Sequence, residues 1–419
     1  MTSSKSVTTT GRWRSGWWLI VALVASVALG GVAVWLNHDG PDRPAPADLH
    51  NGQVFIQDNL WSTATEQYAV WVGRDGTPYA GRRDRGDDDW DVADLGSVAG
   101  NPLGAPTAAD LHNVYAIAVD TNGVVHVVGN THGGPLRYIR SAAPGDIHDW
   151  VDASSSIPGP VDQVTYPRFV ALPDGTLQFW YRAGGSGNGD LTLAVLDAQS
   201  GEWRSNGVIV EGRSADESPY PHHIAVDPRT GTIHLLFEWR SEGDVSTTND
   251  VGYVQSSDGG ATWQRSDGAT VALPVTHDSA EVVIDTEPTG SGLVNDGGLA
   301  LDDAGRPHAV LLFAPPDGPV RYEHVWREGS AWRREVVASL GLVGRPAVAV
   351  VEGRLLALGS DGAGGLAVVD VASGDRRQVT DVPVGWEACY DSRALALFGE
   401  LETLVPDGAS PRLVTIELP

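Results

Sequence analysis

LHNVYAIAVDTNGVVHVVGNTHGGPLRYIRS, residues 111–141, reads as an alternating apolar run, an Asp-Thr-Asn-Gly turn, a second alternating run and a polar break. Period-2 alternation bounded by Asn, Asp and Gly is the signature of strand, tight turn, strand. The pattern recurs as GRDGTPYAGRRD, LPDGTLQFWYR, DPRTGTIHLLFEWR, DDAGRPHAVLLFA and VEGRLLALGSD. Aligned on one slot, the copies fall at Tyr79, His126, Leu177, His234, His308 and Leu355, spaced 47, 51, 57, 74 and 47 residues apart. Second hairpins such as DLTLAVLDAQSGEW, VGYVQSSDGGATW and VRYEHVWREGSAW lie between them. A spacing of about 50 residues with four short strands per unit predicts an all-β fold, a β-propeller. No amphipathic helical run separates the copies, which argues against βαβ units. Six copies are legible. The C-terminal SRALALFGELETLVPDGASPRLVTIEL is expected to pair with GQVFIQD (52–58) and close a further blade, giving seven blades, with six as the alternative.

The 51 glycines, 26 prolines and 15 tryptophans suit many short strands joined by turns. With 28 Lys+Arg against 54 Asp+Glu, the formal net charge is −26. Nucleic acid is disfavoured as a partner, because phosphate binding needs clustered basic residues. An acidic ligand would have to be held by a local basic patch against the field of the whole chain. Cys389 is the single cysteine, which excludes an intrachain disulfide framework and a Cys-rich metal site. No histidine spacing suggests zinc, so no metal ligand and no cofactor is assigned; the acidic turns leave room for a structural divalent cation. A monomer is expected.

WWLIVALVASVALGGVAVWL, residues 17–36, is 20 residues without a charge, long enough to cross a bilayer as one helix. Lys5, Arg12 and Arg14 precede it, and Asp39 and Asp42 follow. The positive-inside rule places residues 1–16 in the cytoplasm and the remainder outside. A Pro-rich linker, 37–51, then leads to the propeller, 52–419. The alternative is secretion after cleavage, against which stand the length of the apolar run and the lack of a clear A-x-A site.

SSDGGATW, Ser256–Trp263, fits the Asp box S-x-D-x-G-x-x-W. Asp258 is expected to hold turn amides, Gly259 and Gly260 to take positive φ, and Trp263 to pack between blades. The box identifies architecture rather than chemistry, and no arginine motif or Tyr/Glu pair of the sialidase kind accompanies it. Polar residues gather elsewhere, at strand boundaries. These are His112, Asn113 and His132; Tyr166 and Arg168; Tyr181 and Arg182 before the glycine-rich AGGSGNGD; Tyr220, His222 and His223 in SPYPHHIAVD; then Arg240 and Asn295. His126, His234 and His308 share one repeat slot on apolar strands and read as packing histidines.

LHNVYAIAVDTNGVVHVVGNTHGGPLRYIRS, TYPRFVALPDGTLQFWYRAGGSGNGDL, SPYPHHIAVD and SSDGGATW resemble the BNR-repeat family that includes seven-bladed propeller polysaccharide lyases of the ulvan and rhamnose–glucuronate type. Gly133 stands where an Asn commonly follows the second histidine, and YPHH replaces an Asn-Arg pair. The resemblance implies β-elimination at a uronate of an anionic polysaccharide. It matches a cleft-lining histidine pair to His112 and His132, a tyrosine and arginine to Tyr166 and Arg182, and a further tyrosine to Tyr220. Such chemistry needs a cation on the C6 carboxylate, a base for the C5 proton and an acid for the departing O4. Arg182 suits the first role, His132 the second and Tyr166 the third, with the order among His112, His132 and Tyr166 left open. Tyr220, Asn113, Arg168, His223 and Arg240 are expected to bind substrate. The alternatives are a non-catalytic carbohydrate-binding surface propeller and a glycoside hydrolase such as an α-L-rhamnosidase.

Overall fold

The computed structural model describes residues 58–73, 76–104, 112–337, 340–363, 365–380, 387–407 and 410–418. Six antiparallel sheets of four or more strands succeed one another along the chain, followed by a single hairpin. Blade I holds Leu60–Ser62, Glu66–Val72, Pro78–Asp84 and Asp91–Asp94; blade II holds Tyr115–Val119, Val125–Gly129, Tyr138–Ser141 and Trp150–Asp152. Blade III holds Val164–Ala171, Leu177–Gly185, Asn188–Asp197 and Glu202–Glu211. In blade IV the inner strand is split into Ser218–Pro221 and Ala225–Val226 before Ile233–Arg240 and Thr248–Ser256. Blade V runs from Leu293–Leu301 to Ala331–Val337, and blade VI from Val343–Val351 to Arg376–Thr380.

What holds the sheets in a ring is apolar side chains between neighbouring blades. Ile117 and Val127 meet Phe169 and Phe179 between blades II and III; Trp180 and Leu191 meet Leu235 and Phe237 between III and IV. Blades IV and V share Leu236, Tyr253, Leu299 and Leu311, and blades V and VI share Val310, Leu312, Val348 and Ala357. Each fully buried side chain of this kind contributes about 1.5–3 kcal/mol. The last joint is made by the hairpin Glu402–Asp407/Ser410–Thr415. Its Leu401 and Val405 side packs on blade VI, and Leu404 packs on Leu60, Ala69 and Trp71 of blade I.

The expectation of seven full blades is therefore corrected. Among the described residues there are six, and two strands fill the seventh position. Part of the segment assigned to closing strands is helical: Ser392–Phe398 forms the one-element helix α1. Asp391 accepts from the amides of Arg393 and Ala394 at its start, and Gly399, at φ 72°, ends it with an N–H bonded to the Leu395 carbonyl. Of GQVFIQD only Asp58 is described, so its pairing lies outside the described residues. So does the apolar run 17–36; among the described residues no helix is long and apolar enough to cross a membrane.

The repeat slot maps to the first or second residue of the second strand in blades II to VI, and to the third strand in blade I. His126 and His234 pair with tyrosines in equivalent ways: Nδ1 lies 2.6 Å from the Tyr138 hydroxyl and 2.7 Å from that of Tyr253. The Asp box forms as its sequence demands. Asp258 accepts from the Thr262 amide at 2.9 Å, Gly259 and Gly260 take φ of 71° and 91°, and Trp263 is fully buried edge-on to Trp180 of blade III.

Candidate active site

The inner strands of four consecutive blades break at the same level. Register shifts fall between Thr165 and Arg168 in blade III, Val294 and Gly298 in blade V, and Val343 and Ala347 in blade VI. Blade IV has its gap at 222–224. A bulge re-aims the side chains it carries. Here it turns Tyr166, His222, Asn295, Asp296 and Arg345 out of regular alternation. Tyr166 takes φ 57°, a left-handed conformation rare for an aromatic residue and characteristic of backbone held under strain at working sites.

His132 reaches the same place by leaving its own blade. The short strand His132–Gly134 follows the second strand of blade II but pairs with blade III, setting His132 opposite Thr165 and Gly134 opposite Val164. Gly133, at φ 67°, donates its amide to the Thr165 hydroxyl at 2.9 Å. The imidazole of His132 then stacks on that of His112, with ring centres 4.0 Å apart and planes 11° from parallel. His112 also lies 6.5 Å from the Tyr166 ring, and the Tyr166 and Tyr220 rings are 5.7 Å apart. Asn113, half-buried, adjoins His112 in the chain.

Beneath these rings sit two guanidinium groups. Arg182, only 2 % exposed, stands 4.9 Å from the Tyr166 ring and 4.7 Å from that of Tyr220. Arg240 lies 4.1 Å from the Tyr220 ring. It donates to the Tyr220 hydroxyl at 3.0 Å, the Thr248 hydroxyl at 3.0 Å and Asn295 Oδ1 at 2.9 Å. Among the described residues neither arginine forms an ion pair with a carboxylate, and Nε and Nη1 of Arg182 meet no acceptor. The neighbouring buried arginines differ. Arg168 is matched to Asp296 at 3.4 Å and Arg345 to the Glu387 carboxylate. Burial pushes the Tyr166 phenol far above its ordinary range, and the Arg182 charge partly opposes that rise.

The structure thus gathers His112, His132, Tyr166, Arg182, Tyr220 and Arg240 at one end of the inner strands. It separates two residues that were expected among them. Arg168 is instead engaged by blades IV and V, donating to the His222 carbonyl at 2.9 Å and pairing with Asp296. His223 lies past the blade IV break, where it stacks on Tyr390 and lines a cavity of about 760 Å³ formed by the opposite ends of the inner strands. Burial, then the Arg168 charge, lowers the His223 imidazole to about 4. His222, beside it, is fully buried, accepting from the Gly297 amide on Nδ1 and facing Glu238 at 2.7 Å through Nε2. Glu238, Ser186, Asp296 and Arg345 are polar residues near the site that sequence reasoning missed. Glu238 hides within the apolar strand IHLLFEWR, and Ser186 within a glycine-rich turn.

No group of three or more His, Cys, Asp or Glu among the described residues is placed to hold a metal ion. Among the described residues the hollow presents imidazole, phenol and guanidinium groups. The fold is an all-β propeller with a hollow lined by imidazole, phenol and guanidinium groups at one end of its ring. The chain belongs to the BNR repeat-containing family, whose model matches residues 66–340. It is similar to an ulvan lyase of Alteromonas sp. (strain LOR), 23 % identical over 335 residues that cover 68 % of this chain and 63 % of that one. An ulvan lyase of Pseudoalteromonas sp. (strain PLSV) is 21 % identical over 343 residues, covering 68 % and 62 %. The chain therefore spans rather less than two thirds of the length of these relatives. A solved polysaccharide lyase, an ulvan lyase bound to -[GlcA(1-4)Rha3S]-, shares the fold with a TM-score of 0.63 at 16 % identity, over 83 % of this chain and 88 % of that one.

Proposed function

We propose that this chain is a polysaccharide lyase that cleaves uronate-containing glycans of the rhamnose–glucuronate type by β-elimination. Residues 17–36 anchor it to the cell membrane and the propeller lies outside. The observation that carries the reading is Arg182, a buried guanidinium that has no carboxylate partner among the described residues, clasped by two phenol rings and close to a stacked histidine pair. An uncompensated buried charge is costly, and a substrate carboxylate is the group that compensates it.

In the reaction, Arg182 holds the C6 carboxylate and disperses the charge that develops as C5 loses its proton. His132, exposed at the rim, takes that proton on a ring nitrogen, and His112 fixes the plane of its imidazole by stacking. The electron pair from the C5–H bond forms a C4–C5 double bond, the C4–O4 bond breaks, and O4 receives the Tyr166 proton. Tyr166 suits the acid role because burial keeps its phenol protonated. The deciding experiment incubates the propeller region with ulvan and other uronate glycans and follows ultraviolet absorbance of the unsaturated uronate. New reducing ends without that absorbance would make the protein a hydrolase, and binding without cleavage would make it a lectin.

A further inference from the structure

The hairpin joining Leu177–Gly185 to Asn188–Asp197 turns through Ser186 and Gly187, with Gly185 opposite Asn188. Its glycines serve close approach to the next blade. A Cβ on Gly187, which takes φ 70°, would sit 2.7 Å from the Glu242 backbone. That approach brings the Ser186 hydroxyl of blade III to 2.6 Å from the Tyr220 hydroxyl of blade IV, and 3.4 Å from the Glu242 carbonyl.

These contacts form one directional chain. Arg240 Nη1 donates to the Tyr220 oxygen, Tyr220 donates to Ser186 and Ser186 donates to the Glu242 carbonyl. An arginine has no acceptor and a carbonyl has no donor, so neither end permits the protons to run the other way. The Tyr220 proton is spent on Ser186, while one lone pair of its oxygen remains for the substrate.

We infer that Ser186 is a positioning residue that makes Tyr220 a hydrogen-bond acceptor toward the sugar, leaving Tyr166 as the phenol that transfers a proton. The inference rests on the lyase reading and refines it: Tyr220 recognises a hydroxyl of the glycan, and Ser186 sets the polarity of that recognition. The test uses Ser186→Ala, Ser186→Thr, Tyr220→Phe and the Ser186→Ala/Tyr220→Phe double variant, on a glucuronate–rhamnose glycan. Ser186→Ala is expected to lower kcat/KM about 3- to 10-fold, the worth of one neutral hydrogen bond, mainly through KM. Ser186→Thr restores it, and the double variant loses no more than Tyr220→Phe alone, because both changes cut the same chain. Losses that multiply, or a Ser186→Ala enzyme identical to the parent, overturn the inference. Tyrosine labelled with ¹³C at Cζ gives a readout without turnover. The Tyr220 resonance should move in Ser186→Ala and hold in Ser186→Thr. If the parent releases no unsaturated product, the lyase reading fails and that resonance alone decides the chain; a resonance that does not move in Ser186→Ala rejects it.

Discussion

Replacing Arg182 by methionine separates what the arginine does for the fold from what it does for chemistry. Methionine fills a similar volume and removes the charge. In the parent, the guanidinium is 2 % exposed, and Nε and Nη1 have no acceptor among the described residues. Burying an ion without its counter-ion costs several kcal/mol. The two tyrosine faces return about 0.5–2 kcal/mol each. The balance leaves Arg182 destabilising the empty protein by roughly 1–3 kcal/mol. With unfolding entropy scaling with chain length, Arg182→Met should raise Tm by roughly 1–4 °C. Activity should move oppositely, because the variant cannot hold a uronate carboxylate or the charge that grows from it. Removing one such preorganised donor costs about 10²–10³ in kcat, and removing the whole guanidinium should reach the upper end. Scanning calorimetry and initial rates of ultraviolet absorbance, on one preparation, measure both. A variant that melts several degrees lower would mean that Arg182 is already compensated in the empty site. One that keeps a tenth or more of parental turnover would mean that the carboxylate is held elsewhere. Either result refutes the reasoning.

Other expectations follow from single contacts. His132→Ala should cut kcat by about 10²–10⁴ while leaving Tm unchanged, since the side chain is exposed and its strand is held by backbone pairing; parallel loss of Tm would assign His132 to the fold. His277 lies 3.0 Å from both Glu217 and Asp250, and the hydrogen bond to Glu217, ahead of that to Asp250, raises its pKa above 6.5. A raised folded pKa stabilises fully below the unfolded value and loses that stabilisation as pH climbs through the folded one. Tm should therefore fall across neutral pH in the parent and flatten in His277→Gln, as a pH series of melting curves will register. Gly260→Ala should destabilise by about 1–3 kcal/mol, because φ is 91° there and the new Cβ would lie 2.7 Å from Leu193; an unchanged denaturation midpoint would contradict the inter-blade role of the Asp box.

The propeller was legible because its signals are local. Turn residues and period-2 alternation recur within each hairpin, and the Asp box encodes a turn in eight consecutive residues. The blade count was harder, since closing a ring depends on which distant segments meet. Asp391 and Gly399 are ordinary helix-end residues, yet the apolar letters between them also read as strand. At the site, strand-boundary position and family resemblance pointed to His112, His132, Tyr166, Arg182, Tyr220 and Arg240. They did not separate Tyr220 from His223, three residues away, because the break in the blade IV inner strand that sends them to opposite ends has no signature in SPYPHHIAVD. Glu238 was invisible for a related reason. A buried carboxylate amid apolar residues declares itself only when its partner His222 is seen across the sheet.

These breaks explain how a repeat built for packing comes to carry chemistry. A regular inner strand alternates between its two neighbouring blades, so every side chain is committed to an interface. One inserted residue in blades III and IV, and two in blades V and VI, release a few side chains from that commitment, at the cost of strain and of unpaired backbone. Doing so at one level in blades III to VI places Tyr166, His222, Asn295, Asp296 and Arg345 around the same ring. The resulting polar layer then cross-links the blades: Arg168 bonds the His222 carbonyl, Arg240 bonds Asn295, and Arg345 bonds the Asn295 carbonyl and Glu387. Each of these arginines sends at least one hydrogen bond to a residue outside its own blade. Arg182 enters instead from the unbroken second strand of blade III, and among the described residues its Nε and Nη1 meet no acceptor. Among the described residues the layer that stiffens the ring thus leaves two buried charges, Arg182 and Arg240, without a carboxylate, and on the proposed reading it is Arg182 that the substrate carboxylate meets.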